Sequence, residues 1–181
     1  MRLFSLTLTS LVFLLATFCV ATELESQETP KPGQIETIYD DKRNKTTVRL
    51  KPVQIGSEKA QYHSVHIAPA FSYPGKQFKK PEIIDFEVQT VVKTKLKIDL
   101  YVVFVIDGEK IFLSSDRSAV KRPVPGKRGV GERLVFRMPH ETLMKLTKAR
   151  AVAIKMDGVE FPFSESAVDQ IRVFAKRLES Q

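Results

Sequence analysis

Residues 98–115 read IDLYVVFVIDGEKIFLSS, two apolar runs on either side of Asp107-Gly108. An Asp-Gly pair between such runs is the strongest short-range signal of a β-hairpin, because a type I′ turn needs positive φ at both central residues. Ile98, Leu100, Val102, Phe104 and Ile106 make one face wholly apolar; Tyr101, Val103 and Val105 leave only Asp99 polar on the other. A strand apolar on both faces is expected in the middle of a core, covered on both sides. The stretch holds no catalytic pattern, so it speaks to fold and not to reaction.

Outward from this hairpin, residues 82–92 (EIIDFEVQTVV) give the cleanest alternation in the chain. Ile84, Phe86, Val88, Thr90 and Val92 are expected inside, and Asp85, Glu87 and Gln89 outside, as in an antiparallel sheet with one wet face. Residues 45–55 (KTTVRLKPVQI) alternate until Pro52 and then change phase, which predicts an edge strand with a bulge. Residues 61–71 (QYHSVHIAPAF) put His63, Val65, Ile67 and Phe71 on one parity, and Pro69 predicts an edge or a bend. A Tyr73-Pro74-Gly75 turn closes that strand, and residues 133–138 form another with Leu134, Phe136 and Met138 inward. Residues 151–163 (AVAIKMDGVEFPF) repeat the hairpin chemistry at Asp157-Gly158, with Pro162 marking an edge.

Two helices complete the pattern. Residues 139–148 begin with Pro, carry Glu141 in the first turn and end on Lys148, in agreement with helix polarity. Residues 165–178 place Val168, Ile171, Phe174, Ala175 and Leu178 in one stripe, capped by Ser164 or Ser166, the latter forming a capping box with Asp169. The prediction is a mainly β fold of about eight strands: an antiparallel, β-sandwich-like single domain with a short helix and a C-terminal helix packed on it. An α+β fold with one curved antiparallel sheet is the alternative.

The ends of the chain differ in character from this body. Residues 1–21 have Arg2, an apolar stretch and Cys19-Val20-Ala21 at a small-x-small cleavage site, the pattern of a secretory signal peptide. A retained anchor or a lipidated Cys19 are the other readings; Phe18 argues against lipidation. Cleavage after Ala21 removes the chain's single cysteine, and with it disulfide frameworks and Cys chemistry. Residues 22–41 carry six carboxylates against Lys31 and read as an acidic flexible leader. With Arg2 in the signal segment, the chain's net charge of +8 becomes +12 over residues 42–181, the β-rich domain. Such a body attracts anionic partners, an envelope polymer or an acidic protein; nucleic acid is not the expected partner of an exported chain.

No nucleophile elbow, phosphate loop or zinc-binding helix motif is present in the sequence. His63 and His66, three apart on one strand, point to opposite faces and do not form a metal site. His140, at a helix start, is expected to cap or to lie exposed. No cofactor is expected. Asp85, Glu87 and Asp99 are the carboxylates on which acid/base work on a glycan would rest. The basic loop of residues 116–133 carries Arg117, Lys121, Arg122, Lys127 and Arg128, and the loop before the third strand adds Lys79 and Lys80 around Phe78. If both loops lie at one end of the fold they form an anion-binding patch with an aromatic in it.

Residues 39–53 (YDDKRNKTTVRLKPV), the Tyr73-Pro74-Gly75 turn, DGEKIFL and the closing ARAVAIKMDGVEFPFSESAVDQIRVF resemble hypothetical exported bacterial proteins of about this length. The resemblance implies a bacterial cell envelope, periplasm or exterior, and a β-rich domain. No functional residue transfers with it. The expected function is that of a non-enzymatic periplasmic or secreted binding or accessory protein that contacts anionic envelope components. The competing class is a hydrolase acting on envelope glycan.

Overall fold

The computed structural model describes residues 33–93, 101–115, 120–123 and 130–179, with the backbone alone at 120–123 and 130. In chain order the strands are β1 (Ile35–Asp40), β2 (Lys45–Leu50), β3 (Val53–Lys59), β4 (Tyr62–Pro74), β5 (Ile83–Val92) and β6 (Tyr101–Ile106). There follow β7 (Glu109–Ser114), β8 (Val120–Pro123), β9 (Val130–Pro139), α1 (His140–Lys148), β10 (Val152–Met156), β11 (Val159–Pro162) and α2 (Glu165–Lys176). The fold is mainly β, built from two antiparallel sheets and two helices.

The larger sheet has seven strands in the order β1-β2-β4-β5-β9-β8, with β3 also paired to β4. The smaller has four, in the order β11-β10-β6-β7. One face of the large sheet is covered by the small sheet and by both helices. Three edge-on aromatic contacts mark that cover: Phe86 on Phe104 at 5.0 Å, Tyr62 on Phe161 at 5.2 Å, and Phe71 on Phe174 at 5.6 Å between ring centroids. They tie the large sheet to the centre of the small sheet, to its edge and to α2. Edge-to-face rings add about 0.5–1.5 kcal/mol each beyond the area they bury.

Both Asp-Gly turns form as expected: Asp107 and Asp157 have φ of 49° and 47°, Gly108 and Gly158 of 88° and 76°. Each aspartate also acts at a distance. Asp107 Oδ1 accepts from the backbone N–H groups of Arg150 and Ala151 at 2.9 and 2.8 Å, fixing the start of β10. Asp157 Oδ2 accepts from the Tyr62 hydroxyl at 2.5 Å, pinning the second hairpin to β4.

Several expectations are corrected. The hairpin strand β6 is central in its sheet, but its second face is covered only in part: Val103 is buried, while Tyr101 is 50% and Phe112 beside it on β7 is 68% exposed. Residues 98–100 lie outside the described residues. Strand β4, for which Pro69 predicts an edge or a bend, is not at an edge but is the long central strand of the large sheet. Proline is tolerated there because Pro69 faces the two-residue break between β2 and β3, where β4 has no ladder partner on that side. The break follows from Lys51-Pro52, and the phase change read there is real; β3 is the edge strand, with its bulge between Gln54 and Gly56. At Gly56 a side chain would meet the Phe161 ring at 2.4 Å, so glycine is what allows the two sheets to close at this corner.

The end of the acidic leader is not loose. Residues 35–40 form β1, hydrogen-bonded along β2. Within the basic loop a four-residue strand, β8, pairs with β9. The helices are as expected, with Ser164 as the cap of α2: its Oγ accepts from Ala167 N–H at 3.2 Å. Asp169 turns instead to Arg172 (2.7 Å), whose guanidinium also donates to Thr147 O at the end of α1 (2.8 Å), so one side chain closes α1 and locks the helices together.

Candidate functional site

Among the described residues no element covers the other face of the large sheet, and its register assembles a broad concave surface that several strands share. Directly opposed residues form cross-strand rows: Glu36–Arg49–Ala70–Asp85–Arg137, and beside it Ala68–Glu87–Val135. The next row is Gln54–His66–Gln89–Arg133. Down the middle runs β4, whose outward residues Ala68, Ala70 and Ser72 are small, while its neighbours carry long charged side chains. The result is a trough of about 560 Å³ along β4, floored by those small residues. A further hollow of about 360 Å³ extends it past Gln89 and Arg133 to Val91 and Gly131. From Asp85 to Val91 the outward side of β5 spans roughly 20 Å at a strand's rise per residue.

The walls differ in sign. On the β2 side stand Lys45, Arg49 and Lys51. Glu36 from β1 is clamped by two of them, Arg49 at 2.7 Å and Lys51 at 2.8 Å. Hydrogen bonds from Lys51 and then Arg49 hold the Glu36 carboxyl below its ordinary range. On the β5 side stand Asp85, Glu87 and Gln89. Glu87 is bound by Arg133 and accepts from Gln89 Nε2 at 2.7 Å. Lys45 and Asp85 make no ion pair or hydrogen bond within the trough. Across the floor Thr47 and Ser72 hydroxyls bond each other at 3.0 Å.

The sequence-derived anion site does not assemble as one patch. Lys79 and Lys80 precede Ile83, which pairs with Pro139 at one end of β9; Lys121 and Arg122 pair with Glu132 and Gly131 at its other end. Those ends are about 30 Å apart. Phe78, expected to project into the patch, instead packs on Phe71 and Tyr73 at 6.2 and 5.4 Å. Lys80 lies in a small cleft with Glu82 and His140. Burial, and secondly Lys80, lowers the pKa of His140, so its neutral form is favoured. Arg117, Lys127 and Arg128 lie outside the described residues, as does Asp99.

Of the remaining candidates, Asp85 and Glu87 both face the trough. The parity that puts His63 with Val65, Ile67 and Phe71 fails at His63: a bulge between Tyr62 and Ser64 sends Tyr62 inward. His63 pairs with Glu58 at 2.8 Å, while His66 stays on the trough face. Inside the fold, Tyr62 has its pKa raised by burial and then by Asp157, with buried Glu132 adding to the effect. The sequence reading missed this inner polar group because Glu132 sat in a stretch read as loop. It also missed the trough floor; the available signal was Ala68, Ala70 and Ser72 recurring every second residue.

No family model, curated protein or solved structure matches this chain. Among the described residues no helix is long and apolar enough to cross a membrane. The site therefore has to be read from its own geometry.

Proposed function

We propose that this is a non-enzymatic, exported binding or accessory protein of the bacterial cell envelope, periplasmic or secreted, which holds an extended ligand in the trough on the open face of its seven-stranded sheet. The observation that carries the reading is the line of small residues Ala68, Ala70 and Ser72 between walls of long charged side chains, on a face that none of the described elements covers. Export is supported by the signal-like residues 1–21. The +12 charge of residues 42–181 supports anionic envelope material as the surroundings in which it works, with Lys79, Lys80, Lys121 and Arg122 adding salt-sensitive attraction from both ends. The hydrolase reading is less well supported: Arg133 and Gln89 take up the Glu87 carboxylate that would have to act on a substrate.

Co-sedimentation of the purified protein with insoluble cell-envelope sacculi tests this. The wild type is expected in the pellet without release of soluble sugar, and Ala70→Arg, which fills the floor, in the supernatant with the same Tm. Equal pelleting of both proteins would remove the trough as the contact surface. Sugar release that Asp85→Asn abolishes would replace the binding protein with a hydrolase.

A further inference from the structure

Resting on the reading of the trough as a binding surface, we propose that its ligand is an extended polypeptide in which acidic and basic residues alternate. Three observations carry this. First, the trough follows a strand. Its length along β5, about 20 Å, fits six residues of extended chain, and its width from β2 to β5 is two strand spacings, about 10 Å. Second, its charges are weighted by side: Lys45, Arg49 and Lys51 outnumber Glu36 on one wall, and Asp85 and Glu87 outnumber Arg133 on the other. Same-side residues of an extended polypeptide recur every second position, about 6.8 Å. That is the separation of Arg49 from Lys51 and of Asp85 from Glu87. A ligand lying along β4 with acids on one flank and bases on the other meets the sheet in its own period. Third, no Phe, Tyr or Trp lines either part of the trough, the imidazole of His66 at one end being its one ring. Sugars and nucleobases are gripped largely by stacking on such rings, whereas a charged peptide needs none.

Lys45 and Asp85 are the two charges to which the ligand contributes most. Glu36 and Glu87 already have their cations, and a ligand that meets them gains only what those pairs leave over. Lys45 and Asp85 have no such partner, so a carboxylate on the β2 flank and an ammonium on the β5 flank complete the surface.

The test is fluorescence anisotropy with two labelled octapeptides of identical composition, one alternating Glu and Lys, the other with four Glu followed by four Lys. At physiological salt the alternating peptide is expected to bind at least tenfold more tightly. Asp85→Lys, an exposed change that leaves the Glu36 and Glu87 pairs intact, should reduce the advantage of the alternating peptide at least tenfold, and Ala70→Arg should abolish binding of both. Equal affinity for the two peptides, or no binding of either, overturns the inference. So does an unchanged preference in Asp85→Lys. Failure here is separable from failure of the broader reading: if sacculi still pellet the wild type and not Ala70→Arg, the trough binds, and only its peptide specificity falls.

Discussion

The two faces of the seven-stranded sheet are made by the same strands and do opposite things. On the covered face Val65, Ile67, Ile84, Phe86, Val88 and Phe136 have no exposed surface. On the open face the intervening residues are Ala68, Ala70, Asp85, Glu87 and Val135, with charge sorted by strand and a hollow down the centre. Burial on the first face holds the two sheets and both helices together, since each fully buried large side chain contributes about 1.5–3 kcal/mol. The second face contributes little to folding, which leaves it free to be shaped for a ligand. Changes on the two faces should therefore separate cleanly in experiment.

The largest effect belongs to the covered face. Phe86→Ala removes a ring that packs edge-on against Phe104 across the sheets, and should cost about 3–5 kcal/mol in chemical denaturation. A loss below about 1 kcal/mol would mean that the sheets are not packed as described. Next is the corner where the sheets meet. Gly56→Ala drives a methyl against the Phe161 ring and should destabilise by about 1–3 kcal/mol; pairing it with Phe161→Leu should recover part of the loss. Smaller again is the cap of α2: Ser164→Ala leaves the Ala167 N–H without its acceptor and should cost about 1 kcal/mol.

The smallest stability effect lies on the open face, at its border with β1. The Glu36 carboxyl is depressed by Lys51 and Arg49, so the folded state favours its ionised form. A group depressed in this way stabilises above its unfolded-state pKa, about 4.3, and that contribution is lost as pH falls through the lower, folded value. The pair is partly solvent-exposed, so the amount is at most about 1 kcal/mol. Glu36→Gln should lower stability near neutrality by up to that amount, converge with the wild type in acid, and so flatten the fall in stability below about pH 4.3. An unaltered acid limb would show that Glu36 does not hold β1 to the sheet.

Legibility in the sequence followed locality. The Asp-Gly turns, the alternation of β5 and the stripe of α2 are set by a few neighbouring residues, and each forms where the pattern places it. Strand β1 was hidden because its residues, IETIYD, sit in an acidic stretch with Pro and Gly, and it gains its pairing only from β2. The short strand β8 was hidden in the same way in the Pro/Gly-rich loop. The parity of His63 was misread because a bulge depends on the partner strand and leaves no mark in the residue pattern. The trough shows both limits. Asp85, Glu87 and Gln89 were recognisably outward, yet that Arg49 lies across Ala70 from Asp85 follows only from the registers of three strands. The basic loops had strong composition but no geometry, and the register that separates their ends by about 30 Å is a property of β9, not of the loops.

The central claim is that the open face of the large sheet is the ligand surface. Amide chemical-shift mapping with soluble sacculus fragments tests it most directly. The account predicts concentration-dependent shifts along the floor and walls, at Thr47, Arg49, Ala68, Ala70, Asp85 and Glu87. It predicts no shifts at Lys79 and Lys80 beyond those abolished by raised salt, and none in the covered face around Phe104. Shifts confined to the basic loops, with the residues of β4 and β5 unmoved, would contradict it.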